Sequence, residues 1–400
     1  MGAGQQNGER FASLDYIRGL SILGILAVNA LAFAQPFSVY MEATATPVPL
    51  THADNLAWWA VQTFAREKFI TLFSMLFGVS LFLVGETNPP RAVPHETPLF
   101  RRLAWLLVFG VVHGAVIWMG DVLLLYAVTG FAFWQWRTRS AGWLLGTGVA
   151  LYLVNFVAPI LADLFMQHKE MTRAAVVPDL TPLVDLMRSD LWGSLQGNFK
   201  QWADLIVLEV MFFLLQTLSL MMIGLGLFKA GFLKNRAPSW TYWLAVVAGG
   251  ACLAATGVVV WRYVGDGYHA ANYATLYNLL TNTLPPLISL GYAAGLMLLA
   301  RTAVGGVVLY PLRCAGRMAF TNYLCQSLIM TGLFYGGRGP EMWGLPWYGQ
   351  MNTAGLMPIV GCILAGQLVF SMLWLTMFRY GPFEWAWRCL TYQRWVGILR

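Results

Sequence analysis

Long apolar stretches separated by short polar joints dominate the chain. Ten of them come close to or exceed the length of about 20 residues with which a helix crosses a bilayer. They are 14–36, 68–86, 101–119, 121–137, 141–163, 204–228, 238–261, 274–300, 316–336 and 355–378. The apolar residues run continuously and do not alternate, which excludes the period-two strands of a membrane barrel. The pattern predicts an all-α, polytopic integral membrane protein with about ten transmembrane helices. The third and fourth spans are joined almost without a loop, at Gly120-Asp121. Residues 53–67 bear tryptophans, are mildly amphipathic and are placed at the interface leading into the second span. The connection 164–203 is the most polar part and predicts an extramembrane or re-entrant cap. No segment is large enough to fold as a separate soluble domain, so 1–400 reads as a single transmembrane domain.

Composition agrees. The 400 residues are 58% hydrophobic and 11% charged, with mean hydropathy +0.60, against about 25% charged in soluble domains. The net charge of +7 does not point to nucleic acid, because basic residues gather at cytoplasmic helix ends in membrane proteins. With the N-terminus inside, 17 of the 25 Lys and Arg fall on the inner side. The other eight are Arg66, Lys68, Lys169, Arg173, Arg188, Lys200, Arg262 and Arg338; four of these lie in the long 164–203 connection, where the rule carries less weight. An N-in/C-in topology follows. Residues 10–34 also resemble a secretory signal, with Ala32-Phe33-Ala34 as its cleavage site. Asp15 is unusual in such a leader, and removing it would spoil the charge alternation. The five cysteines (Cys252, Cys314, Cys325, Cys362, Cys389) lie in or beside apolar stretches without C-x-x-C spacing, so they read as buried helix cysteines and no metal site is expected.

Ionisable groups inside a span cost at least about 2.5–3.5 kcal/mol each, so each needs a reason. Asp15 and Arg18 share a face of the first helix and can pair. They form either a structural lock at its cytoplasmic end or a site for the phosphates of an acyl carrier such as coenzyme A. His113 lies twelve residues beyond Arg101-Arg102, near the bilayer middle, where a neutral imidazole suits a general base or proton carrier. Asp121 follows eight residues later, about 12 Å along the same face by the helical rise. The bland alternative is a histidine hydrogen-bonded to a neighbouring helix. Lys68 either snorkels to the interface or faces a polar cavity shared with Asp121. Glu209 requires a partner or a water-filled pocket. Asn322 and Gln326, four apart, are explained by interhelical hydrogen bonds. His52 and Asp54 are weak outer-side candidates. No nucleotide-binding, zinc-protease or nucleophile-elbow motif occurs in a supporting context.

Several blocks together resemble one family. Ser13-Leu-Asp-Tyr-Ile-Arg-Gly-Leu-Ser-Ile-Leu-Gly-Ile-Leu-Ala-Val-Asn29 is similar to the opening of the YeiB family, domain of unknown function 418. Lys68-Phe-Ile-Thr-Leu-Phe-Ser-Met-Leu-Phe-Gly78 and His113-Gly-Ala-Val-Ile-Trp-Met-Gly-Asp-Val-Leu-Leu-Leu-Tyr126 resemble its next blocks. Gly316-Arg-Met-Ala-Phe-Thr-Asn-Tyr-Leu-Cys-Gln326 and Gly381-Pro-Phe-Glu-Trp-Ala-Trp-Arg388 complete the pattern, with about 215–400 as the family's C-terminal block. More distantly, the first helix resembles transmembrane acyltransferases of the heparan-alpha-glucosaminide N-acetyltransferase and family-three O-acyltransferase groups. In the family-three enzymes a catalytic histidine stands where this chain has Asn29, so that mechanism does not carry over. In the acetyltransferase group the acceptor histidine precedes the second span, as His52 does here, but the spacing and surroundings of His52 differ.

The resemblance implies a bacterial inner-membrane protein. It also implies an acyltransferase-like activity with acetyl-coenzyme A or another acyl-coenzyme A as donor. Arg18 and Asp15 would contact the donor, and His113 with Asp121 would activate the acceptor. Asn29, Lys68, Glu209, Asn322 and Gln326 would be supporting polar groups. Membrane lipids surround the chain, and the acceptor would be a glycan or lipid-linked molecule. A proton-coupled transporter or flippase using His113, Asp121 and Glu209 is the rival.

Overall fold

Seventeen α-helices account for most of the secondary structure in the computed structural model, which describes residues 11–41, 43–46, 48–87, 96–165, 179–268, 274–339 and 347–400. They are α1 (Ala12–Ala34), α2 (Phe37–Met41), α3 (His52–Phe64), α4 (Lys68–Thr87), α5 (Glu96–Val112), α6 (Leu123–Phe133), α7 (Ala141–Phe165), α8 (Thr181–Arg188) and α9 (Leu191–Lys229). There follow α10 (Ser239–Gly265), α11 (Ala274–Thr283), α12 (Pro285–Ala300), α13 (Gly305–Val308), α14 (Tyr310–Arg317), α15 (Ala319–Phe334), α16 (Thr353–Met377) and α17 (Pro382–Tyr392). Among the described residues the sole β-type pairing is an isolated bridge between Phe378 and Leu399. Arg10, Arg91, Lys169 and Arg173, used in the charge count, lie outside the described residues.

All ten predicted stretches coincide with helices, but fewer are long enough to cross a bilayer unbroken. Among the described residues six helices meet that length and apolarity: Ala12–Ala34, His52–Gly85, Pro98–Ile117, Leu191–Lys229, Ser239–Gly265 and Thr353–Met377. The pair Leu276–Thr283 and Pro285–Ala300, bent by 40°, makes up to seven. Leu123–Trp136 and Ala141–Val157 are shorter apolar helices. A straight α6 of 11 residues covers only about 17 Å, because the chain before it leaves the helical path.

Two segments between the ten stretches are also largely helical. Residues 191–203 are the first turns of α9, which runs unbroken for 39 residues, about 58 Å. Only 179–190, with α8, remains of the described part of that connection. Residues 53–64 lie in α3. α3 packs against α10 and α16 and buries Trp58 and Gln62, so its tryptophans serve packing as well as an interface.

α1 is the central element. Its span is 72% buried, against 28% for α10 and α16, and it touches α4, α14, α15 and α16. Ile17, Leu72, Leu106, Tyr126, Met221, Met297 and Ala315 belong to the main core around it. Outward faces remain apolar: Val207, Met211, Phe212, Trp243, Val247 and Leu373 are all more than half exposed, a surface suited to a bilayer. The five cysteines are free; only Cys314 is buried, and Cys362 is exposed on α16, which corrects the expectation of burial for it.

Candidate functional site

α5 and α6 pack against each other as a hairpin, and Gly110 permits it, since a Cβ there would overlap the Leu124 backbone. Between them the helix does not simply stop. His113–Ile117 form a π-helical turn, and residues 118–122 are non-helical. Such irregular backbone at membrane depth survives only where protein or a cavity satisfies its polar groups. The partners are specific. The Asn198 amide donates to the carbonyls of Gly114 (2.9 Å) and Ala115 (3.1 Å). Arg338 Nη1 donates to those of Val116 (2.9 Å) and Ile117 (2.7 Å). The Trp118 amide closes the turn on His113 O at 2.8 Å. Arg338→Ala removes these two charged donor bonds together with those from Nε and Nη2 to Ser194 Oγ and O (3.1 Å each); it is expected to cost at least about 2 kcal/mol, read as a lower thermal midpoint, with Arg338→Lys intermediate.

This break brings His113 and Asp121 together. On a continuous helix they would sit two turns apart; here His113 Nδ1 lies 2.9 Å from Asp121 Oδ1, with both residues essentially inaccessible at 1% and 0%. Asp121 Oδ2 accepts from the Leu124 amide at 2.9 Å and so caps α6. On the other side of the ring, His113 Nε2 lies 2.8 Å from Ser327 Oγ on α15. A carboxylate on Nδ1 favours the tautomer with the proton there, leaving the Nε2 lone pair to face the serine hydroxyl. Carboxylate, imidazole and hydroxyl in series is the geometry of an orienting acid, a base and a nucleophile. His113 stands 15 residues past Pro98, where the span Pro98–Ile117 begins, about 22 Å along it and therefore beyond its midpoint, in the half distant from Arg101.

The non-helical segment is also one wall of a cavity of about 550 Å³. Trp118, Met119, Gly120 and Val122 face it, and so do Asn29 of α1 and Glu209 of α9. Glu209, for which the sequence demands a partner or a water-filled pocket, is thus one of the cavity-lining residues. Lys68 does not face the cavity. Its side chain is fully buried, and Nζ donates to the Gln62 carbonyl at 2.8 Å, a cation set against the C-terminal turn of α3. The residue that does reach the cavity is its neighbour Glu67, in the left-handed region at φ 63°, a conformation that costs a non-glycine residue on the order of 1–3 kcal/mol. Glu67 Oε2 accepts from Gln216 Nε2 at 3.1 Å. Ser74 and the Tyr126 hydroxyl, also on the wall, pair at 2.9 Å.

Elsewhere the polar candidates are distributed. Arg18 Nη1 meets Asp15 Oδ1 at 3.4 Å, with Asp15 buried and Arg18 partly accessible. Asn322 donates to Ala315 O (3.2 Å) and Ser371 Oγ (3.1 Å). Gln326 donates to Ile22 O (3.2 Å) and Gln367 Oε1 (2.8 Å). These amides knit α1, α14, α15 and α16 together as interhelical glue. Asp54 forms a capping box with Thr51 and accepts from Ala354 N, while His52 is exposed at the start of α3. Sequence reasoning missed Ser327, Glu67 and Gln216 as site residues. Ser327 directly follows the block ending at Gln326, but nothing in its spacing marks contact with a residue 214 positions away.

The family model described as protein of unknown function (DUF418) matches residues 227–394. The chain is 30% identical over 412 aligned positions to the uncharacterized protein YxaH of Bacillus subtilis (strain 168), covering 98% of this chain and 96% of that protein. It is 30% identical over 393 positions to the uncharacterized protein YeiB of Escherichia coli (strain K12), covering 96% of each. It is also 26% identical over 397 positions to an uncharacterized 39.9 kDa protein in the amylase 3' region of Bacillus acidopullulyticus. No solved structure matches significantly. The matches to the two 30% relatives run nearly end to end, and the family model covers the C-terminal helices: the chain belongs to the YeiB (DUF418) family.

Proposed function

We propose that this protein is a membrane acyltransferase-like enzyme that moves an acyl group, acetyl in the simplest case, from a coenzyme A thioester to an acceptor hydroxyl or amine. The acceptor is a glycan or lipid-linked molecule at or across the membrane. The reading includes about ten crossings of a bacterial inner membrane, with both termini and the Asp15–Arg18 pair on the cytoplasmic side. One observation carries it: the Asp121–His113–Ser327 series, buried on a backbone break that costs the fold other interactions to maintain.

In this chemistry Ser327 Oγ attacks the thioester carbonyl and its proton passes to His113 Nε2. The carbon–sulfur bond breaks, and the departing thiolate takes that proton. The acceptor then attacks the acyl-Ser327 ester and gives its proton to Nε2. That proton goes on to Oγ as the ester carbon–oxygen bond breaks. Asp121 holds the ring and stabilises the imidazolium. Arg18, oriented by Asp15, offers the planar fork suited to the donor's phosphates. The supporting geometry is that Gln326, next to Ser327, reaches the carbonyl of Ile22, one turn beyond Arg18 on α1.

The test is radiolabelled acetyl-coenzyme A added to the purified protein in nanodiscs. Wild type should acquire protein-bound label, Ser327→Ala should acquire none, and His113→Ala should label about 10²–10⁴-fold more slowly. Donor that neither binds nor labels wild type, or a His113→Ala rate equal to wild type, would sink the reading. The second reading, a proton-coupled transporter or flippase, is favoured by Glu67 and Glu209 in the apolar cavity. Solute uptake by proteoliposomes that persists in Ser327→Ala would select it.

A further inference from the structure

The cavity between α1, α4, α6 and α9 has a chemistry of its own, independent of what the His113 series does. Its lining is predominantly apolar and aromatic, yet among the described residues it contains two carboxylates, Glu67 and Glu209, and no Lys, Arg or His. Arg66, adjacent in sequence to Glu67, points elsewhere, with Nη1 donating to Gln62 Oε1 (3.0 Å) and the Tyr277 hydroxyl (3.1 Å). Arg66 and Lys68, on either side of Glu67 in the sequence, attract it electrostatically, but neither side chain enters the described lining. Glu67 reaches the cavity only by adopting a left-handed backbone, and strain of that kind collects at ligand sites. Gln216, which binds Glu67, lies seven residues from Glu209 on α9, a rise of about 10 Å along that helix. Tyr126, Trp118 and Phe69 are among the lining residues, and each also stacks one ring face on a neighbour, Phe77, Phe33 and Tyr292 respectively.

The flank of this cavity is lipid-like. Leu208, Phe212 and Phe213 line it and are also 50%, 65% and 44% exposed. The same side chains thus belong to the cavity wall and to the outer apolar face of α9. A volume of about 550 Å³ falls within the range of small-molecule sites. We propose that this cavity binds a single-chain amphiphile with a cationic head, its hydrocarbon against Leu208, Phe212 and Phe213 and its head between Glu67 and Glu209. A phosphate-bearing lipid head is disfavoured, since the charged groups in the described lining are the two acids.

The probe is dodecyltrimethylammonium, with dodecanol and dodecyl sulfate as chain-matched neutral and anionic controls. In wild-type protein in phosphatidylcholine nanodiscs, dicyclohexylcarbodiimide should modify Glu67 and Glu209, located by mass spectrometry. Saturating dodecyltrimethylammonium should slow that modification about tenfold, and the two controls should not. This measurement needs no mutant. In parallel, Glu67→Gln and Glu209→Gln should each weaken saturable binding of the labelled cation about tenfold, with unchanged thermal unfolding. The proposal fails if neither acid reacts, if dodecanol protects as well as the cation, or if the folded Gln variants bind as wild type does.

Discussion

Asp121→Asn should lower acyl transfer by about 10³–10⁴-fold while leaving the protein folded. The reason is the direction of one proton. The carboxylate can only accept, so it draws the imidazole proton to Nδ1 and leaves Nε2 bare toward Ser327, 2.8 Å away. An asparagine amide can turn its NH₂ to Nδ1, which stabilises the opposite tautomer and sends a donor to Ser327 in place of a base. The same side chain keeps a carbonyl oxygen for the Leu124 amide, which now caps α6 through Asp121 Oδ2, so the hairpin survives. Single-turnover labelling with acetyl-coenzyme A, alongside the thermal midpoint, separates the two effects. A slow but stable variant supports the tautomer argument. A variant of wild-type rate would show that His113 does not act as a base.

The largest loss of stability is expected from Gly316→Ala. A Cβ at Gly316 would overlap the carbonyl oxygen of Asp15, and one at Gly19 would overlap that of Leu312. α1 and α14 therefore touch backbone to backbone, through small residues of the kind that let membrane helices approach. No flexible side chain can yield there, so one added methyl must push both helices apart at the most buried element of the fold. Overpacking of this kind costs about 3 kcal/mol. The displacement also shifts Asp15 relative to Arg18. Gly366→Ala, on α16 with open space around it, should stay within about 0.5 kcal/mol of wild type. Unfolding midpoints of the three proteins in one detergent provide the comparison. Equal midpoints would show that the crossing relaxes at no cost.

These two sites illustrate how much of the molecule is legible in its sequence. The hairpin at Gly120-Asp121 can be read directly, because apolar runs on either side of a Gly-Asp joint leave no other course. His113 stands out because a titratable group in a long apolar run demands a partner. Its actual partner geometry cannot be read: a regular helix keeps residues eight apart on one face but out of reach, and only the π-helical turn and non-helical segment fold Asp121 back. Lys68 departs from expectation for a related reason. Burial against the α3 carbonyls depends on the turn at Ala65–Glu67, and it is that turn which aims Glu67 at the cavity.

The helical class and the family are legible in the sequence alone. A chain 58% hydrophobic in runs near membrane length must satisfy its backbone locally, and helices are the way to do so. The tertiary structure alone decided which polar groups meet. Ser327 reaches His113, Gln216 reaches Glu67 and Arg338 reaches the freed carbonyls across 214, 149 and more than 220 positions. Local periodicity fixes which face of a helix a residue occupies. It holds no record of the neighbouring helix, which is chosen by close packing of the whole bundle.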